Sequence, residues 1–155
     1  RVKELSEYRS EFFGKLKEII GNRDDIKIIG DRFVFQSEVL FDSGEANIGI
    51  EGQRQLAKLS VAIQELINDI PQEINWILRV DGHTDRVPIK NSRYESNWEL
   101  SAARAISVVD FLIKTGIPPN RLAATGRGEF MPLETGDDEI SYKKNRRIEI
   151  KLTES

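Results

Sequence analysis

The sequence predicts an α+β domain, a two-layer α/β sandwich preceded by an N-terminal amphipathic helix. Three observations predict it. Two long segments, 52–70 and 97–112, carry apolar residues at helical spacing; short β-prone runs stand before, between and after them; and a further helical pattern opens the chain.

The opening helix rests on Val2, Leu5, Tyr8, Phe12, Leu16 and Ile19, which recur at intervals of three and four, with Gly21-Asn22 as a stop. Residues 1–24 are therefore expected to form a lead-in or linker helix and 25–155 the domain proper. Ile26–Ile29 and Phe33–Phe35 flank Gly30-Asp31, a tight-turn pair, and predict a β-hairpin whose second strand runs on toward Phe41. Leu56, Leu59, Ile63, Leu66, Ile67 and Ile70 restore the helical period up to Pro71. Ile74–Val80 reads as a strand emptying into a polar loop, Asp81-Gly82-His83-Thr84-Asp85.

Ser96-Asn97-Trp98-Glu99 fits a capping box, in which the Ser side chain accepts from the N3 amide and the Glu reaches back. The buried stripe of that helix is Ala105, Val108, Val109 and Leu112, and Gly116 with Pro118-Pro119 ends it. Arg121–Thr125 is a short strand, Gly126-Arg127-Gly128 and Gly136-Asp137-Asp138 are loops, and Ile148, Ile150 and Leu152 alternate as a final strand.

Composition narrows the function. A chain of 155 residues, 39% hydrophobic, supports one core. With 23 Lys+Arg against 26 Asp+Glu it lacks the basic field that draws nucleic acid, so no nucleic-acid partner is expected. No run approaches the ~20 apolar residues of a membrane span. Zero Cys and one His disfavour Cys nucleophiles, zinc clusters and hydrolytic chemistry, so neither catalysis, metal nor cofactor is expected. The chain opens without Met inside a helical pattern and is read as a piece of something longer.

Few residues remain that carry chemistry. Gly126-Arg127-Gly128 lacks the spacing of a phosphate loop and reads as a turn. His83 has no second imidazole and no framing carboxylate pair, which makes it a poor metal or acid–base centre. Lys143-Lys144-Asn145-Arg146-Arg147 reads as a solvated turn before the last strand. Arg104 conflicts with its surroundings, because it lies only about 40° around the helix from Val108 and so borders the apolar face. Such a guanidinium needs either a protein carboxylate or a ligand one, which its planar fork can hold through two parallel hydrogen bonds.

Four separated segments, Val39-Leu40-Phe41-Asp42-Ser43, Gly82-His83-Thr84-Asp85, Asn97-Trp98-Glu99-Leu100-Ser101-Ala102-Ala103-Arg104-Ala105 and Asn145-Arg146-Arg147-Ile148-Glu149-Ile150, together resemble the OmpA-like peptidoglycan-binding domain over roughly 33–152. The resemblance implies a βαβαβ-β arrangement with a mixed sheet and a non-catalytic periplasmic module of the Gram-negative envelope. It also implies a ligand, the diaminopimelate of the peptidoglycan stem peptide. Asp85 would take its ammonium and Arg104 its carboxylate, with Asn97, Thr84, Asp42 and Arg146 beside them.

The longer 86–95 loop, with Val87-Pro88-Ile89 in place of the family's glycine turn, resembles the MotB-type stator branch. That implies a parent anchored in the inner membrane with a membrane partner subunit. The apolar face of the opening helix suggests a homodimer contact. The alternative reading is a dimerisation or protein-interaction module of an envelope complex with a vestigial wall pocket.

Overall fold

The computed structural model of the protein describes residues 3–89, 91 and 93–155. Arg1, Val2, Lys90 and Ser92 lie outside the described residues, and with them the Val2 position of the expected opening helix.

Helix α1 spans Leu5–Ile20 and ends at Gly21, whose φ of 84° is open to glycine at little cost. Strands β1 (Ile26–Ile29) and β2 (Arg32–Gln36) form the expected hairpin, with Ile29 opposite Arg32. Strand β2 does not run on to Phe41. Gln36 turns the chain by accepting the Glu38 amide at 3.2 Å, and a one-turn helix α2 (Ser37–Leu40) follows. Helix α3 (Ile50–Asp69), strand β3 (Trp76–His83), helix α4 (Asn97–Lys114), strand β4 (Leu122–Gly126), helix α5 (Glu139–Asn145) and strand β5 (Arg147–Glu154) complete the chain, with a short 3-10 turn at Pro119–Arg121.

The sheet has the order β1-β2-β5-β3-β4 and is mixed: β3 and β4 are parallel and the other neighbours antiparallel. Alternation assigns its faces. Phe33, Phe35, Leu78, Val80, Ile148, Ile150 and Leu152 point to one side and are buried with Leu56, Leu59 and Ile63 of α3 and Ala105, Val108 and Leu112 of α4.

The same core takes in Tyr8, Phe12, Phe13, Leu16 and Ile20 of α1, which packs on α3. The Arg9 guanidinium also donates to the Leu152 carbonyl of β5 at 3.1 Å. The stripe expected to serve a linker or a homodimer contact is therefore buried within the chain's own core, and that use of it is corrected.

The opposite sheet face holds Arg79, Asp81, His83, Arg147 and Glu149. The chain between β4 and β5 lies against it, with Arg147 Nη2 donating to the Met131 carbonyl at 2.8 Å and the Asn145 side chain holding the backbone of Leu133 and Glu134. This is why β3 extends through Asp81 to His83, residues that sequence alone places in a loop: a covered polar face accepts them. Helix α5 begins at Asp138, whose side chain accepts the Ser141 amide at 2.8 Å, so the basic run read as a solvated turn is largely the end of a helix.

Gly82 and Gly126 let α4 settle directly on the ends of β3 and β4. A Cβ on Gly82 would stand 2.1 Å from the Ser101 carbonyl oxygen, and one on Gly126 2.7 Å from Ala102. That close approach sets the N-terminal half of α4 beside the residues leaving β3.

Candidate ligand-binding site

Beyond His83 the chain is tied down before it enters the 86–95 loop. Thr84 donates its amide to the Gly128 carbonyl at 2.9 Å and its hydroxyl to the Asp85 carbonyl at 2.8 Å. Asp85 accepts the Val87 amide on one oxygen at 3.0 Å. Asn97, the first residue of α4, donates its side-chain amide to the Val87 carbonyl and the Glu129 carboxylate, both at 3.2 Å. These contacts fix the Asp85 carboxylate at the rim of a cleft.

Arg104 lies two turns further along the same face of α4 as Asn97 and is 5% exposed. Its Nε donates to the Glu45 carbonyl at 2.7 Å and its Nη2 to the Asp42 carbonyl at 3.2 Å, and its guanidinium lies 5.0 Å from the centre of the Phe41 ring. Among the described residues no carboxylate forms an ion pair with it. Burial pushes the guanidinium below the ordinary arginine value, with Glu38 the leading influence the other way. Two of its five N–H groups are engaged by carbonyls. Of the two partners the sequence allows, a protein carboxylate is not paired with Arg104 among the described residues, and backbone carbonyls hold the side chain instead.

Arg146 behaves differently. Nη1 donates to Asp85 at 2.8 Å, Nη2 to Glu139 at 2.7 Å and Nε to Glu38 at 2.8 Å. Burial works against the charge, but these three carboxylates outweigh it and hold the group above the usual arginine range. Three carboxylates around one guanidinium leave negative charge in excess.

A cavity of ≈ 500 Å³ lies between the two sets, lined by Ser43, Gly44, Thr84, Asp85, Asn97, Arg104, Glu139, Tyr142 and Arg146 among others. Five of the six residues expected from sequence meet there. Asp42 contributes its carbonyl to Arg104 while its side chain is exposed outside the lining. Sequence reasoning missed Glu38, Glu139 and Tyr142, which sit on the two short helices; Asp138 as an N-cap was the one available signal for the second. A cavity of ≈ 550 Å³ on the opposite sheet face is lined by Ile29, Val34, Leu133 and Ile140 with a mixed charged rim.

His83 has the carboxylate neighbours that sequence did not supply: ligand atoms of Asp81, His83 and Glu149 lie within 4.8 Å of one another. The carboxylates are already engaged. Arg79 holds Asp81 at 2.9 Å, while Arg147 and Arg32 hold Glu149 at 2.7 and 3.2 Å. Three guanidinium groups against two carboxylates leave no negative charge to draw in a cation. The two His83 ring nitrogens are buried without a hydrogen-bond partner, the Glu149 oxygen being 3.7 Å away.

A five-stranded mixed sheet with two long helices on one face, and a charged cleft where β3 meets α4, defines an α/β sandwich of the OmpA-like kind. The chain belongs to the OmpA family, whose model matches residues 40–146 and so includes all six expected site residues. It is 36% identical over 139 residues to YtxE of Bacillus subtilis, which covers 89% of this chain and 53% of YtxE. The chain spans about half the length of the curated relatives it matches.

Among solved structures, a MotB-like protein from Desulfovibrio vulgaris superposes with a TM-score of 0.84 at 28% identity, covering 97% of each chain. The cell wall anchor of the type VI secretion system from Pseudomonas aeruginosa gives 0.69 at 28% identity, covering 98% of this chain and 97% of that one. Coverage this complete takes in α1 as well as the sheet.

Proposed function

We propose that the chain binds peptidoglycan by holding the diaminopimelate of a stem peptide in the cleft between Arg104 and the acidic cluster, and thereby anchors an envelope protein to the cell wall. One observation carries the reading: a buried guanidinium held by carbonyls faces an excess of carboxylate across an open cavity. The free stereocentre of diaminopimelate presents an ammonium beside a carboxylate, and the two halves of the cleft suit it in sign. The carboxylate meets the remaining N–H groups of Arg104. The ammonium joins Asp85, which shares its second oxygen with Arg146; because Glu38 and Glu139 also hold Arg146, that sharing leaves the arginine paired. Asn97 and Thr84 hold the loop that carries Asp85.

The description of one structural neighbour as a cell wall anchor and of another as MotB-like supports the anchoring role. On this reading the domain lies in the periplasm, and the parent is a membrane-anchored, stator-like subunit with a membrane partner. A polar, open site gives modest affinity per domain, so firm attachment requires several copies acting together. The interaction-module alternative loses its main support, since the α1 face it relied on is buried.

The test is calorimetry with a diaminopimelate-containing tripeptide, alongside co-sedimentation with purified sacculi. Asp85→Asn keeps the size of the side chain but removes the charge, and is expected to weaken both signals at least tenfold. Equal binding by Asp85→Asn, or binding of a lysine-containing tripeptide as tightly as the diaminopimelate one, refutes the assignment.

A further inference from the structure

Beside the cleft, two large aromatic side chains stand in solvent. Trp98 is 53% exposed and Phe130 60%, yet they are stacked on each other with ring centres 5.0 Å apart and planes 27° from parallel. The pair is built rather than incidental. Gly128, at φ +62°, turns the chain after β4 so that Phe130 returns to Trp98, and a Cβ there would lie 3.3 Å from the Phe130 ring and 3.4 Å from the Trp98 ring. Met131, also about half exposed, extends the surface. None of these side chains lines the cleft, and none is needed to hold Arg104 or Asp85.

We infer that the Trp98–Phe130 pair is a stacking platform for the sugar strand of peptidoglycan, a second subsite that works together with the peptide cleft; the inference rests on the function proposed above. Sugar rings present flat apolar C–H faces between their hydroxyl edges, and an exposed indole stacked on a phenyl ring offers a matching flat apolar surface. Arg104 lies six positions after Trp98 on α4, about 9 Å along the helix and about 120° around it. Diaminopimelate is the third residue of a stem that begins on the sugar, and its side chain carries the free stereocentre onward, so an extended stem of about 10 Å together with that side chain reaches from the one to the other.

The subsites are also joined through the protein, because Asn97, which lines the cleft, is followed by Trp98 and bonds Glu129, which is followed by Phe130. A stem peptide seated in the cleft therefore brings its sugar to the platform, so the second contact forms without an independent encounter.

The experiment compares two probes on the intact chain: the diaminopimelate tripeptide alone, and the same tripeptide carried on its N-acetylglucosamine–N-acetylmuramic acid disaccharide. The sugar-bearing probe is expected to bind about tenfold tighter. Trp98→Ala and Phe130→Ala are expected to remove that gain while leaving the affinity for the bare tripeptide unchanged, and Trp98→Phe to keep most of it. Trp76 is buried, 2% exposed, so a change in tryptophan emission with the sugar-bearing probe alone reports Trp98.

Equal affinity for the two probes overturns the platform and leaves the peptide cleft standing. Failure of both probes on the unmodified chain refutes the cleft, and the platform with it. Should Trp98→Ala instead change self-association in sedimentation without altering the sugar gain, the aromatic pair faces protein and the inference is overturned.

Discussion

Arg104→Lys tests most directly whether the guanidinium is a clamp or only a buried positive charge. Arginine links α4 to the 42–45 segment through two bonds, from Nε to the Glu45 carbonyl and from Nη2 to the Asp42 carbonyl. Lysine keeps the charge but has no planar fork to span both carbonyls, so one of the two bonds is lost. The Asp42 carbonyl still accepts the Glu45 amide and Glu45 is only half-buried, so the loss is that of one hydrogen bond, about 0.5–1.5 kcal/mol. Against a typical total of about 5–15 kcal/mol the variant stays folded.

Binding suffers more selectively. A bidentate carboxylate contact becomes a single one, and each charge-assisted hydrogen bond contributes about 1.5–3 kcal/mol, so affinity for the diaminopimelate tripeptide should fall about 10- to 150-fold. Calorimetry reads the affinity and urea unfolding reads the stability on the same preparation. If Arg104→Lys is destabilised as expected yet binds the tripeptide with unchanged affinity, the guanidinium serves the fold alone and the clamp is wrong.

Other expectations concern the frame and its response to acid. Phe12→Ala should cost about 3–5 kcal/mol in a single cooperative transition, because the ring is buried in the core shared with α3 and the sheet; an unchanged melting curve would mean that α1 is separable. Gly82→Ala drives a Cβ to 2.1 Å from the Ser101 carbonyl oxygen and should cost about 3 kcal/mol, or about 6–12 °C in Tm by calorimetry; a smaller loss would show that α4 can lift from β3 cheaply. Acid should destabilise the chain in two stages. Burial lowers the His83 pKa, so the unfolded chain takes up protons first, and the stability contributed by neutral His83 is lost as pH falls below about 6.5. Burial of Glu149 works against its charge, but His83 and Arg147 outweigh this and hold it at about 2, so its contribution persists to lower pH and is lost between about 4.5 and about 2. Urea midpoints at pH 7.5 and 5.5 should differ less for His83→Gln than for the unmodified chain; an equal difference in the two chains refutes this account.

What the sequence made legible follows from where its signals are strong. The period of α3 and α4 and the Ser96 cap are local signals, and the observed Ser96 side chain accepts the Glu99 amide at 3.3 Å. The hairpin was equally plain from Gly30-Asp31. The end of β3 was not, since Asp81, Gly82 and His83 look like loop residues unless it is known that the far sheet face is covered by an ionic network. Helix α5 has seven residues and no apolar period, so only its Asp138 cap announces it. In the site, Asp85 and Arg104 came from the resemblance and from the place of Arg104 on its helix. Glu38 and Glu139 reach Arg146 from segments 108 and 7 residues away in sequence, and pairing across such distances leaves no trace in a local pattern.

The packing of α1 has a mechanical consequence. Its aromatic stripe is interlocked with α3, and Arg9 grips the carbonyl of Leu152 on β5, the strand that begins one residue after Arg146. Tension applied at the start of α1 therefore enters through interdigitated side chains and travels along a central strand to the cleft, crossing no slack segment on the way. Such a load path is stiff: strain imposed at one end of the molecule is felt at the other before any element has to unfold.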